Sequence, residues 1–246
     1  MVLLCGTACI GGGPPRPAFP SSGPSSKADP IVYVAVGASE TAGVGTNDPF
    51  RDAWPKVFWR ILPPGSVMFD FGVSGSTARE ALADQVGQAV AQAPDLATVW
   101  LNVNDLIAGM SANRYGRILQ QIVQALRRGG ETTVLVANTP RLDGLPVYFA
   151  CRSSNGLYTT PLGNVVQCPP GIPSFPPPRA IRNVVDAFNR EIQRVVTMEG
   201  ALLVDLNALG DVPRDHPEYV SDDGFHPSSE GAAVVAAAFT TALQGA

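Results

Sequence analysis

The stretch Ile31-Val-Tyr-Val-Ala-Val-Gly37-Ala-Ser39-Glu40 decides how the chain is read. Six apolar or aromatic residues in succession, three of them Val, describe a buried strand. Gly37 then lets the backbone turn sharply, and Ser39 follows two positions later. In a parallel α/β sheet the carboxyl ends of the strands open into the crevice where ligands bind. A hydroxyl delivered there is a candidate nucleophile. Taken alone, the same residues equally make a strand and an ordinary Gly/Ser turn, so the partners supplied elsewhere must decide.

Downstream, a loop with Gly43 and Gly45 leads to Pro49–Leu62, where Phe50, Trp54, Val57, Phe58 and Ile61 recur at spacings of three and four. This predicts one amphipathic helix, ended by Pro63-Pro64-Gly65. Ser66–Phe71 is a second strand, followed by the small-residue turn Gly72-Val-Ser-Gly75-Ser76-Thr77 and an Ala-rich helix to Gln92. Pro94-Asp95 breaks that helix; Leu96–Val103 is a third strand, closed by Asn104-Asp105. A helix over Asn113–Arg128 places Tyr115, Ile118, Leu119, Ile122, Val123 and Leu126 on one face. Arg127 and Arg128 suit its C-terminal dipole, and Gly129-Gly130 stops it. Thr132–Ala137 is a fourth strand. Residues 139–178 form a long insertion with eight Pro beyond Pro140, several aromatics and two Cys. Arg179–Met198 reads as helix, Ala201–Leu206 as the fifth strand, and Ser228–Leu243 as a closing Ala-rich helix. Strand and helix alternating five times predict an α/β chain: a parallel sheet with helices on both faces. The order of the strands is not readable from this pattern.

Composition sets the outer bounds. The 246 residues are 45% hydrophobic and 15% charged, enough apolar material for one sizeable core. The net charge of −4 contains no basic block, so nucleic acid is not an expected partner. Four Cys without a CxxC spacing, and only two His, argue against a zinc site; no metal or other cofactor is expected. Cys151 and Cys168 flank the insertion. Bonded, they would close a loop of 17 residues and require an oxidising compartment; the alternative is two buried free thiols.

Residues 1–12 are apolar with small residues before Cys5 and Cys9, but lack the charged start and the length of a full export signal. They read as the remnant of such a signal, with Cys5 or Cys9 as a candidate lipidated anchor, or as a segment without a role. The Pro/Ser/Gly-rich run that follows reads as a tether to a membrane or cell surface. The expected organisation is therefore a signal remnant and tether over 1–29, and one folded domain over 30–246, secreted or held at the cell envelope. No stretch approaches the roughly 20 apolar residues of a membrane span.

A nucleophile at Ser39 needs a base, a group to orient the base, and donors for an oxyanion. His226 lies in Ser221-Asp-Asp223-Gly-Phe-His226-Pro, beyond the fifth strand, and Asp223 stands three residues ahead of it. That spacing lets a single turn bring the carboxylate to the imidazole. His216 has only an adjacent Asp, which points elsewhere. Gly75 and Asn104 end the second and third strands, so both should reach the crevice of Ser39. A Gly permits close approach of its N–H, and an Asn amide is a neutral donor. Singly, Gly75 is also a turn residue and Asn104 also a helix N-cap. Their conjunction carries the weight.

The set Gly37-Ala-Ser39, Gly72-Val-Ser-Gly75, Asn102-Val-Asn104-Asp105 and Asp223-Gly-Phe-His226 resembles the four blocks of the SGNH (GDSL-type) hydrolase superfamily, in order and across residues 30–245. The resemblance implies a three-layer α/β/α, flavodoxin-like sandwich with a five-stranded parallel sheet of order 2-1-3-4-5. It implies hydrolysis of small-molecule or lipid carboxylic esters through an acyl-enzyme, without a cofactor. By block, Ser39 would be the nucleophile, His226 the base and Asp223 its orienter. The Ser39 amide, Gly75 and Asn104 would form the oxyanion hole. The chain departs from the blocks at two places. Ala38 stands where the first block usually has Asp, with Glu40 next to the Ser, and Asn102 stands where the third usually has Gly. These departures bear on which ester is accepted. The insertion, following the fourth strand, should overhang the crevice. Its Tyr148, Phe149, Tyr158 and Phe175 would line an acyl or alcohol pocket, or else pack on one another as a stiff flap. Deacetylation of carbohydrate and a non-catalytic binding module on the same fold are the rival readings.

Overall fold

The computed structural model describes residues 29–170 and 174–245, so the readings made for the N-terminal tether, Cys5 and Cys9 lie outside the described residues. The first half of the chain runs β1 (Val32–Gly37), α1 (Pro49–Asp52), α2 (Trp54–Trp59), β2 (Val67–Asp70), α3 (Ala78–Asp84), α4 (Val86–Ala91) and β3 (Leu96–Trp100). It continues through α5 (Val103–Ile107), α6 (Ala112–Arg127), β4 (Thr133–Ala137), α7 (Pro146–Ala150), β5 (Leu157–Thr159) and β6 (Val165–Gln167). The last elements are α8 (Pro178–Glu199), β7 (Leu202–Val204), α9 (Val212–Asp215) and α10 (Ser229–Gln244).

Five strands form one parallel sheet in the order β2-β1-β3-β4-β7, which is the expected 2-1-3-4-5 with β7 as the fifth strand. β1 lies at the turning point of this order, pairing with β2 (Val32 opposite Val67) and β3 (Tyr33 opposite Leu96). Its alternate side chains serve two cores, as the two-residue period of a strand requires. Val34 and Val36 join Tyr115, Leu119, Ile122, Phe188 and Ile192 beneath α6 and α8. Tyr33 and Ala35 join Trp54, Phe58 and Phe239 beneath α2 and α10. Trp54 stacks on Phe239 with centroids 4.1 Å apart. The sheet is therefore the middle layer of a three-layer sandwich.

Three expected elements differ. The helix foreseen over Pro49–Leu62 is two short helices, because Ala53 adopts an extended ψ of 137°. Periodicity carried the apolar face through this break and so concealed it. The Ala-rich helix is likewise two, α3 and α4, divided at Gln85. Strand β3 ends at Trp100 rather than Val103, and Asn104 sits in the first turn of α5.

The insertion is a substructure of its own. It holds α7 and the antiparallel hairpin β5–β6, in which Leu157 faces Gln167. Cys151 and Cys168 are bonded, joining the end of α7 to the end of β6. In the chain-entropy account a closed loop of this size adds roughly 3 kcal/mol. Cys168→Ser is therefore expected to lower the resistance of the insertion to unfolding by about that amount. Limited proteolysis, comparing the variant with the oxidised protein, reads it as earlier cleavage between 151 and 168.

Candidate active site

Ser39 is placed by the turn that closes β1. Ala42 N–H donates to the Ala38 carbonyl (3.0 Å) and Val44 N–H to the Ser39 carbonyl (2.9 Å), which holds the turn tight. Gly37 is required there: a Cβ would meet Thr41 Oγ1 at 1.9 Å and the Trp100 carbonyl at 3.0 Å. Ser39 itself is almost wholly buried.

The loop that follows β7 supplies the other half. His226 Nε2 lies 2.9 Å from Ser39 Oγ, and His226 Nδ1 lies 2.6 Å from Asp223 Oδ2. The other carboxylate oxygen of Asp223 accepts from Ser221 Oγ (2.8 Å) and from the N–H groups of Phe225 (2.8 Å) and His226 (2.9 Å). Partial burial pushes this carboxyl up, but the His226 side chain and those two N–H groups outweigh it. They hold Asp223 well below the usual carboxylate range. His216 is elsewhere: its ring pairs with Glu218 at 3.0 Å and stacks on Tyr219.

The Gly75 turn and the Asn104 helix are bound to each other. Gly75 has φ +82°, which glycine adopts without cost; a Cβ there would find open space, so conformation and not room selects it. It lies five residues past the end of β2, in the turn, rather than at the strand end. Asn104 Nδ2 donates to the Ser76 carbonyl at 3.0 Å, which uses one of its two hydrogens. Asp105, fully buried, takes the Ala78 N–H on both oxygens at 3.0 Å, and burial pushes its carboxyl up to about 6. Neither the Ser39 N–H nor the Gly75 N–H has an acceptor among the described residues.

One residue of this frame is not evident from sequence. Gln85, at the break between α3 and α4, reaches back to β1: its Oε1 accepts from Gly37 N–H (3.1 Å), and its Nε2 donates to the Gly37 carbonyl and to Ser76 Oγ (both 3.0 Å). It ties the turn of Ser39 to the turn of Gly75. In sequence it is one Gln in an Ala-rich helix, and nothing there separates it from Gln88 or Gln92. Gln85→Leu leaves the buried Gly37 N–H without its acceptor. Stability is expected to fall by about 2–4 kcal/mol, read by urea unfolding.

A cavity of about 100 Å³ adjoins these groups. Glu40, Phe225 and Pro227, the chain neighbours of Ser39 and His226, form one side, and Trp100, Leu206 and Val235 are among its apolar walls. The four insertion rings do not line it. They pack on one another, Tyr148 on Phe175 (5.9 Å) and Phe149 on Tyr158 (5.0 Å), and Tyr148 and Phe175 also line a smaller apolar cavity that shares Val103, Leu142, Leu145 and Phe225 with the first. The flap instead braces the Asp223–His226 loop. Val147 N–H donates to the Gly224 carbonyl (3.0 Å), and Asn164 Nδ2 donates to Asp222 (2.7 Å). Gly224, at φ +75°, lies so close that a Cβ would meet Val166 at 2.6 Å. Glu40 is displaced upward in pKa: burial does this first, against its own backbone N–H, the nearby His226 and the Ser39 hydroxyl, while the Asp223 charge adds to the rise. Asn102 is buried, and neither its Nδ2 nor its Oδ1 has a partner among the described residues. An amide left so costs about 1–3 kcal/mol. Among the described residues, no group of three or more His, Cys, Asp and Glu converges on one point.

Comparison with known proteins bears on the family and the fold. The acetylxylan esterase of Xylanibacter ruminicola is 26% identical over 231 residues, covering 90% of this chain and 45% of that protein. The chain thus spans less than half the length of that relative. Among solved structures, TesA superposes with a TM-score of 0.62 at 19% identity, over 87% of this chain and 98% of its own. The acetyl xylan esterase AlAXEase superposes with 0.58 at 15% identity, over 87% of this chain and 100% of its own. These two share the fold. The sequence model of the GDSL-like lipase/acylhydrolase family matches residues 35–234, and the chain belongs to that family of ester hydrolases.

Proposed function

We propose that the protein is a serine esterase that hydrolyses carboxylic esters of short to medium acyl chains through an acyl-enzyme. The observation that carries this reading is the hydrogen-bonded series Asp223–His226–Ser39, at 2.6 and 2.9 Å. Ser39 Oγ attacks the acyl carbon while His226 Nε2 takes its proton. Asp223, kept ionised by its donors, holds the ring with Nδ1–H toward itself and stabilises the imidazolium. The oxyanion is received by the Ser39 and Gly75 N–H groups and the second hydrogen of the Asn104 amide, each without an acceptor among the described residues. Each such donor is worth roughly 3 kcal/mol of barrier in acyl transfer. His226 returns the proton to the departing alcohol, then activates water to release the acid. The cavity of about 100 Å³ has room for a short chain, which supports the acyl preference.

Removal of acetyl groups from carbohydrate is the second reading, favoured by the names of the two acetylxylan esterases. A non-catalytic binding module has no use for three aligned acid–base groups. The Cys151–Cys168 bond supports a secreted or envelope location, and an acylated Cys5 or Cys9 would supply a membrane tether. A fluorophosphonate probe tests the assignment of nucleophile. It should add to the peptide that carries Ser39, read by mass spectrometry. Labelling of any other serine, or of none, rejects it.

A further inference from the structure

We infer that Glu40 governs the hydrogen of the nucleophile: as a neutral acid it donates to Ser39 Oγ and leaves the one Ser39 hydrogen to His226, and as a carboxylate it takes that hydrogen itself. This adds a group to the esterase site proposed above and rests on that reading. Ser39 Oγ lies between two side chains that can each accept its proton, His226 Nε2 at 2.9 Å and Glu40 Oε2 at 3.3 Å. The hydrogen-bonded series is therefore four groups long, Asp223–His226–Ser39–Glu40, with a carboxyl at each end. A hydroxyl has one hydrogen to give. Only one neighbour can receive it, and the other contact holds only if that neighbour brings a proton of its own.

Two arrangements satisfy both contacts with the same number of protons. In one, Glu40 is neutral and donates to Oγ, Oγ donates to Nε2, and His226 is neutral with its proton on Nδ1 toward Asp223. In the other, Glu40 is ionised and accepts from Oγ, and His226 is an imidazolium whose Nε2–H points at Oγ. Only the first can react. As Oγ bonds to the acyl carbon its hydrogen passes to Nε2, and Glu40 keeps its own proton; in the second the base is already filled. Loss of one further proton leaves Glu40 ionised beside a neutral ring. The hydrogen of Ser39 is then drawn to the carboxylate, since bonds to an ionised acceptor are the stronger ones.

The surroundings of Glu40 favour its neutral form. It is partly buried and lines the cavity walled by Trp100, Leu206 and Val235. Burial raises its carboxyl above the ordinary range, and the Asp223 charge adds to the rise, against its own backbone N–H, His226 and the Ser39 hydroxyl. The charged groups bearing on it, His226 and Asp223, are paired with each other at 2.6 Å. Of the other titratable groups on the cavity, Arg141 is held by Asp143 at 3.2 Å and Tyr219 stacks on His216.

The test is the pH profile of kcat/KM for p-nitrophenyl butyrate over pH 5–10, corrected for hydrolysis in buffer. The parent should give a bell, with an acid limb from His226 and an alkaline limb of about tenfold per pH unit from Glu40, both as apparent values of the pair. Glu40→Gln is neutral at every pH and can donate through its NH₂, so it should keep the acid limb and lose the alkaline one. Glu40→Leu should lose the alkaline limb too, with a plateau about two- to tenfold below that of Glu40→Gln, because leucine donates nothing. A parent without an alkaline limb, or a limb that persists in either variant, overturns the role of Glu40 and leaves the esterase reading standing. So does a leucine plateau equal to the glutamine one. Hydrolysis undiminished in Ser39→Ala overturns the esterase reading itself.

Discussion

Ser39→Ala is expected to lower kcat/KM for p-nitrophenyl butyrate by about 10⁵–10⁶-fold, the scale on which loss of the nucleophile acts in a serine triad. The fold should not register the change. Ser39 Oγ contacts His226 at 2.9 Å and Glu40 at 3.3 Å, and neither contact belongs to the sheet or to the turn that shapes the site. The turn is held by backbone bonds at Ala38 and Ser39, and by the absence of a side chain at Gly37. Thermal unfolding should thus shift by no more than about 2 °C, within the ±0.5 kcal/mol of a substitution that disrupts no packing. The two readouts together separate a chemical from a structural role. Turnover within tenfold of the parent would remove Ser39 from the mechanism, and a collapse of stability with activity would make the comparison one of folding. His216→Ala is the matching control: its ring is committed to Glu218 and Tyr219, so activity should be retained.

The parts of this site legible in sequence are those in which a local rule fixes a long-range outcome. Apolar runs ending in small residues give strands whose carboxyl ends share one edge, so Ser39 and His226 converge although 187 residues separate them. The three-residue spacing of Asp223 and His226 is closed by one turn, in which Asp223 caps the N–H groups of Phe225 and His226. The strand order came from the resemblance of the four blocks, since periodicity carries no information on which strands are neighbours.

What was not legible depends on tertiary contact. Gln85 stands where α3 gives way to α4, its backbone still bonded to Ala81 and Ala89 while its side chain reaches Gly37 and Ser76. No property of the sequence around it records that partner. The insertion aromatics are a second case. Composition made four rings available, but that Tyr148 and Phe175 both stack on each other and border an apolar cavity, while Phe149 is exposed, depends on the tertiary fold. The flap meets the Asp223–His226 loop at the Val147 N–H, the Asn164 amide and the Val166 side chain, contacts that hydropathy does not specify. Ala38, Glu40 and Asn102 were visible as departures one at a time, and only the fold brings them together beside Ser39.

Asp223→Asn is expected to reduce kcat by about 10³–10⁴-fold with the site geometry nearly intact. The amide keeps an oxygen for the N–H groups of Phe225 and His226, so the loop retains its cap. It can also present its NH₂ to Nδ1 of His226, which favours the tautomer with the proton on Nε2. That ring cannot accept from Ser39, and the general base is lost while the residue remains in place. The pH dependence of stability discriminates further. Hydrogen bonds hold the Asp223 carboxyl well below its ordinary value, so its stabilising contribution is fully present above the unfolded carboxylate pKa of about 4. The contribution is lost as the pH falls from there through the depressed folded value. The parent should therefore be more stable than Asp223→Asn at pH 7, with the gap narrowing below about pH 4, as read by thermal unfolding across pH 2–8. A gap independent of pH would mean that the carboxylate charge contributes nothing to the loop. Rate loss without that pH signature would then assign Asp223 to orientation of the ring alone.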